Sequence, residues 1–109
     1  MSLNKQQHGA PFSVTATHAT AASASKAGVT GSVHYITDIA ASSDKAGAIL
    51  LVKQGSTVLW QVQVASTAAG INAFQQTFSN PLQGVSGAAV SVEIDGTSVC
   101  NANISGFTL

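Results

Sequence analysis

Arginine is absent from this 109-residue chain, and only four lysines and four acids carry charge. Charged residues make up 7% of the sequence, against an ordinary share of about 25%. A nucleic-acid surface needs a stripe of cations to neutralise phosphates, and scattered lysines do not build one. A single cysteine, Cys100, excludes an internal disulfide. It reads as a small buried strand residue and fits a reducing compartment. The longest apolar run, Ala48 to Val52, falls far short of the ~20 residues of a membrane span. Met1-Ser-Leu-Asn-Lys lacks the apolar stretch of a secretory leader, so no export is expected. Aromatics are few: four Phe, one Tyr and one Trp.

What is present is small and apolar. Hydrophobic residues make up 45% of the chain, much of it alanine, with a formal net charge of zero and a pI near 6.8. Copies of such a chain repel one another little, which favours self-association. The length suits one domain. Residues 1–11 are polar, end in Ala10-Pro11, and read as a flexible arm or tag remnant; residues 12–109 read as a single domain.

Alternation of apolar and polar residues then recurs. Phe12, Val14 and Ala16 alternate with Ser13, Thr15 and Thr17. Ala19–Ala27 is alanine-rich, but its Ser and Thr content argues for an extended segment over a helix. The stretch from Val33 to Ile39 places Val33, Tyr35, Thr37 and Ile39 on one face. Ala48–Lys53 is apolar on both faces and therefore central. Gln54-Gly55-Ser56 supplies a hairpin turn before Thr57–Val64, where Val58, Trp60, Val62 and Val64 share a face. Ala68–Ile71 reads as a connection. Asn72–Phe78 is a short strand, closed by a turn at Asn80-Pro81. Ala88–Ile94 alternates cleanly into Asp95-Gly96, a hairpin signal with Thr97–Ile104 as the returning strand. Phe107–Leu109 is expected to seal an edge. About seven or eight short strands without a helical period predict an all-β fold, an antiparallel β-sandwich that is jelly-roll-like, with a small barrel as the alternative.

Chemistry-bearing groups do not converge. His8, His18 and His34 lie on different segments without metal-ligand spacing, so no metal is expected. Asp95 is explained by its turn, Asp44 by a solvated pair with Lys45, and Asp38 and Glu93 by a water-facing strand side. Gly28-Val-Thr-Gly31 and Gly84-Val-Ser-Gly87 lack the context of a phosphate loop and read as turns. No catalytic residue and no cofactor is expected. Trp60 holds core parity between Val58 and Val62. Tyr35 needs a hydroxyl partner at a rim or interface. With His34, these two are the candidate ligand or interface residues: Tyr35 and Trp60 could stack on bases or sugars, and His34 could gather with His18 around an oligomer axis. A hydrolase would require His34 to meet a carboxylate in a pocket.

The stretches Lys26-Ala-Gly-Val-Thr-Gly-Ser-Val-His-Tyr-Ile-Thr-Asp-Ile39, Leu51-Val-Lys-Gln-Gly-Ser-Thr-Val-Leu-Trp60, Phe78-Ser-Asn-Pro-Leu-Gln-Gly84, Ala89-Val-Ser-Val-Glu-Ile94 and Asn103-Ile-Ser-Gly106 resemble small phage virion structural proteins. The likeness spans about residues 26–106 and is to capsid decoration (cement) or head-fibre components. It implies a β-sandwich in a virion assembled in the host cytoplasm, a homo-oligomer (trimer or dimer) on a major capsid or tail protein, and no catalytic residues. Neither nucleic acid nor membrane is expected as a partner. The rival expectation is a carbohydrate- or receptor-binding module of a tail or fibre.

Overall fold

Eight strands follow one another without a helix among the described residues, which are 9–64 and 72–109 of this computed structural model. They are β1 (Ala10–His18), β2 (Ala21–Lys26), β3 (His34–Ser43), β4 (Ile49–Gln54), β5 (Thr57–Gln63), β6 (Asn72–Gln83), β7 (Val90–Asp95) and β8 (Cys100–Thr108). The connection expected at Ala68–Ile71 lies outside the described residues. β1 starts at Ala10, inside the stretch read as an arm.

Two four-stranded sheets form, ordered β1-β8-β3-β6 and β2-β7-β4-β5, with every neighbouring pair antiparallel. Consecutive strands therefore sit in opposite sheets everywhere except β4–β5, the one hairpin among them. That order is an eight-stranded jelly roll, two Greek keys wound into a double sheet. β4 is central, as its two-sided apolar pattern requires, and Gly55 turns the hairpin with φ of 57°. β2 confirms that an alanine-rich stretch can be a strand: Ala22 and Ala24 are buried, and larger side chains there would hold the sheets apart.

The core lies between the sheets. Ile36, Ile39, Ala102 and Ile104 face Leu50, Val52, Val90, Val92 and Ile94. Each large aliphatic side chain buried there contributes about 1.5–3 kcal/mol. Cys100 is fully buried in β8, its thiol 3.3 Å from the His18 carbonyl.

Four expectations need correction. Asp95-Gly96 is not a hairpin turn, because β7 and β8 belong to different sheets and the chain arches between them. Alternation reports which side chains face inward, and it is the same in a hairpin and in an arch. Asn80-Pro81 does not close β6. The residues from Phe78 to Pro81 bulge opposite Thr37 between the pairs Asp38–Thr77 and Ile36–Leu82, so Pro81 stands where the ladder is already broken. Phe107 lies in a central strand paired to both β1 and β3, not at an edge. Val33–Ile39 does not keep one parity: the bulge at Thr37 turns His34 and Ile36 inward with Ile39, and Tyr35 outward.

Candidate functional site

His34 is 1% exposed and ties the two sheets together. Its Nε2 lies 2.7 Å from the Ala27 carbonyl just beyond β2, and its Nδ1 lies 2.7 Å from the Thr108 hydroxyl on β8. A carbonyl only accepts, so Nε2 carries the hydrogen and a neutral ring leaves Nδ1 to accept from Thr108. Phe12 meets the ring edge-on at 5.4 Å. Tyr35, next in sequence, is 8% exposed and stacks on Phe107 at 4.9 Å with the rings 11° from parallel. His18 lies far from His34. β8 pairs His18 with Cys100 at one end and His34 with Thr108 at the other, about 26 Å apart at strand rise. The exposed His18 caps the β1–β2 turn, its Nδ1 accepting from the Thr20 and Ala21 amides at 3.1 Å.

Trp60 is half-buried at the β5–β6 side of the sandwich. Phe78 meets it edge-on at 5.5 Å and Phe74 lies tilted at 6.0 Å, so three rings bridge the sheets where each ends. The expected parity of β5 fails at Leu59. There a bulge separates the pairs Val52–Trp60 and Lys53–Val58, which leaves Val58 45% exposed on the outer side.

The outer face of the β1-β8-β3-β6 sheet is built in rows by the strand register. Ser13, Ser105, Asp38 and Thr77 form one row, and their hydrogen bonds run Ser105 to Ser13 at 3.2 Å and Thr77 to Asp38 at 2.7 Å. Thr17, Asn101, Ser42 and Ala73 form another, with Thr17 donating to Asn101 at 2.7 Å and Asn101 to Ser42 at 2.9 Å. Between them run Thr15, Asn103, Ala40 and Gln75, whose side chains make no hydrogen bond to other described residues. The small Ala40 between two amides deepens this middle row into an open trough of about 440 Å³. No sequence pattern flagged it, since outward-facing Ser, Thr, Asn and Gln are what any solvated strand shows.

The acids have structural partners. Asp44 does not pair with Lys45; it accepts the amides of Thr97 at 2.8 Å and Ser98 at 2.9 Å, together with the Ser98 hydroxyl. The Ser98 hydroxyl, then the Ser98 and Thr97 amides, hold its carboxyl well below the usual carboxylate range. Lys45 reaches Asp95 instead at 3.7 Å, and Lys53 meets Glu93 at 3.4 Å. Among the described residues no three His, Cys, Asp or Glu side chains gather as metal ligands. The two glycine-flanked turns dock on each other: Gly28 lies against the Gly87 carbonyl so closely that a Cβ would clash, and the Gly87 amide donates to Ser32 at 2.8 Å.

The four edge strands are β1, β6, β2 and β5. Across all of them the only Lys, Arg, Asp or Glu is Lys26, which folds over the Phe12 ring at 5.8 Å.

No protein-family model and no curated protein matches this sequence. Among solved structures, the chain is similar to one from a cryo-EM study of giant freshwater prawn Macrobrachium rosenbergii extra small virus virus-like particles. The alignment covers 98% of this chain and 82% of that one at 9% identity, with a TM-score of 0.39. Likeness at that level says nothing of function.

Proposed function

We infer that this chain is a non-enzymatic structural component of a virus particle, a symmetric oligomer that decorates or stabilises a phage capsid. The observation that carries the reading is the jelly-roll strand order on a nearly uncharged chain. Jelly rolls serve as capsid and lectin domains, and a fold alone does not choose among such uses. The composition chooses further. Small Ser, Thr and Ala side chains let surfaces approach closely at low side-chain entropy cost. Repetition over a shell multiplies weak contacts through avidity. The hydrogen bonds of His34 and Asp44 hold loops and strands in place, in keeping with a structural role.

Co-sedimentation with phage capsids that lack the protein tests the reading. Saturable binding at a fixed ratio to the major capsid protein is expected. Failure to pellet with either capsids or tails overturns it.

The trough on the outer sheet face favours a second reading, a module that binds a neutral carbohydrate or receptor. Its volume lies within the ~300–1,000 Å³ of small-ligand sites, and Thr15, Asn103 and Gln75 offer polar groups not spent on neighbours. In this reading the middle row replaces Tyr35, whose ring Phe107 already covers. Glycan-array binding lost in Asn103→Ala with the fold retained would support it. An array without hits would remove it.

A further inference from the structure

We propose that a second copy of this chain pairs with it edge to edge through β1, antiparallel, about a two-fold axis at Val14. The proposal deepens the oligomer reading above by naming its interface. An edge strand presents unpaired amides and carbonyls, and monomeric sheet proteins guard such edges with charge, proline, bulges or brevity. Three of the four edges here are short or broken by a bulge, and the fourth, β1, carries only a proline near its start. β5 is broken by its bulge at Leu59, and β6 by the bulge that holds Pro81. β2 spans six residues and ends in Lys26. β1 differs from all three. It runs nine residues in unbroken register with β8 and contains no Lys, Arg, Asp or Glu. Its one proline, Pro11, lies near its start.

The side chains agree with the backbone. Phe12, Val14 and Ala16 point between the sheets but are only half-buried, because no described strand continues the sheet beyond them. A two-fold axis at Val14 keeps all nine residues of β1 in register with the partner strand; any other centre shortens the ladder. Val14 then faces itself, and Phe12 faces Ala16 of the other copy, a large side chain against a small one. Ser13 faces Thr15 on the outer side. Such an interface is self-complementary, as two-fold symmetry demands. Without net charge on the chain, no long-range repulsion opposes it. The sheet becomes an eight-stranded β6-β3-β8-β1-β1-β8-β3-β6.

Four variants test the register. Light scattering after size exclusion is expected to give twice the 10.9 kDa chain mass for the wild type. S13K/T15K sets like charges directly opposite across the axis and is expected to give the single-chain mass. S13K/T15E sets opposite charges there and is expected to restore the doubled mass. V14C is expected to cross-link under mild oxidation, since opposed strand residues sit about 4.5–5.5 Å apart at Cα, within disulfide reach. A16C, which faces Phe12, is expected to stay unlinked, and the fully buried Cys100 does not compete. Should S13K/T15K fail to fold, the V14C and A16C pair decides alone. A wild type that stays monomeric through a dilution series overturns the proposal while leaving particle binding to be judged by co-sedimentation. An oligomer whose mass S13K/T15K leaves unchanged overturns the β1 interface and keeps the assembly reading.

Discussion

Asp44 grips Ser98 with both carboxylate oxygens, taking its amide at 3.1 and 2.9 Å and its hydroxyl as well. This clamp joins the β3–β4 connection to the arch between β7 and β8, two loops at the same end of the sandwich. The arch has no hairpin ladder to define it, so the carboxylate takes over that role. Ser43 adds a second tie by donating to the Asp95 carbonyl.

Asp44→Asn is therefore expected to lower Tm at neutral pH and to speed amide exchange at Thr97 and Ser98. The pH dependence follows from the sign of the shift. A carboxyl held below its usual range favours the folded state above the unfolded value of about 3.9, and that contribution drains away as pH falls further. The Tm gap between wild type and Asp44→Asn should be full at pH 6 and narrow below pH 4. Thermal melts across that range check it, and a constant gap would exclude the charge as the cause.

Gly106 admits no side chain. A Cβ there would fall 1.9 Å from the Tyr35 carbonyl oxygen, and backbone atoms on a central pair of strands cannot swing aside. Gly106→Ala is expected to cost about 3 kcal/mol or more, in the range of severe core lesions. Chemical denaturation measures it. A loss under about 1 kcal/mol would mean that β3 and β8 separate at the Thr37 bulge more easily than their packing implies.

His34 should behave as a structural cross-brace. His34→Ala leaves the Ala27 carbonyl and the Thr108 hydroxyl without their partner and opens a void, costing about 2–4 kcal/mol. His34→Phe fills the volume but not the hydrogen bonds, and should recover only part of that loss. A double-mutant cycle with Thr108→Val isolates the 2.7 Å contact and is expected to show coupling of about 0.5–3 kcal/mol.

Much of the fold was legible because burial imposes period two on each strand. Phe12-Val14-Ala16 and Val90-Val92-Ile94 announce their inward faces, and Gly55 announces its turn. Sheet membership is a different matter. Ile94 and Ala102 carry the same inward signal although they belong to opposing sheets, and an Asp-Gly pair serves an arch as well as a hairpin. Bulges were hidden for a related reason. One extra residue at Thr37 or Leu59 flips the parity beyond it, and neither residue type marks the place. Simple alternation therefore puts Tyr35 and Val58 on the wrong faces, while Trp60 keeps its inward side. The partners of Asp44 are equally silent in the sequence, because Thr97 and Ser98 are more than fifty positions away. The trough and the open β1 edge are properties of neighbouring strands, and neither exists until the strand order is known.

Trp60 is the only tryptophan in the chain, so its fluorescence reports on the β5–β6 side alone. Its contacts with Phe74 and Phe78 close the sandwich where both sheets end in bulged edge strands. Each aromatic pair adds about 0.5–1.5 kcal/mol beyond area burial. Because the indole is only half-buried, Trp60→Ala should cost about 2 kcal/mol, below the 3–5 typical of a fully enclosed ring. Trp60→Phe should cost less than Trp60→Ala. In a cycle with Phe78→Ala the paired change is expected to fall short of the summed single losses by about 1 kcal/mol. Phe78→Ala should also shift the wild-type emission to longer wavelength as water reaches the indole. Unchanged emission would mean that the Phe78 ring does not shield Trp60 in solution, and that this side of the sandwich stands open.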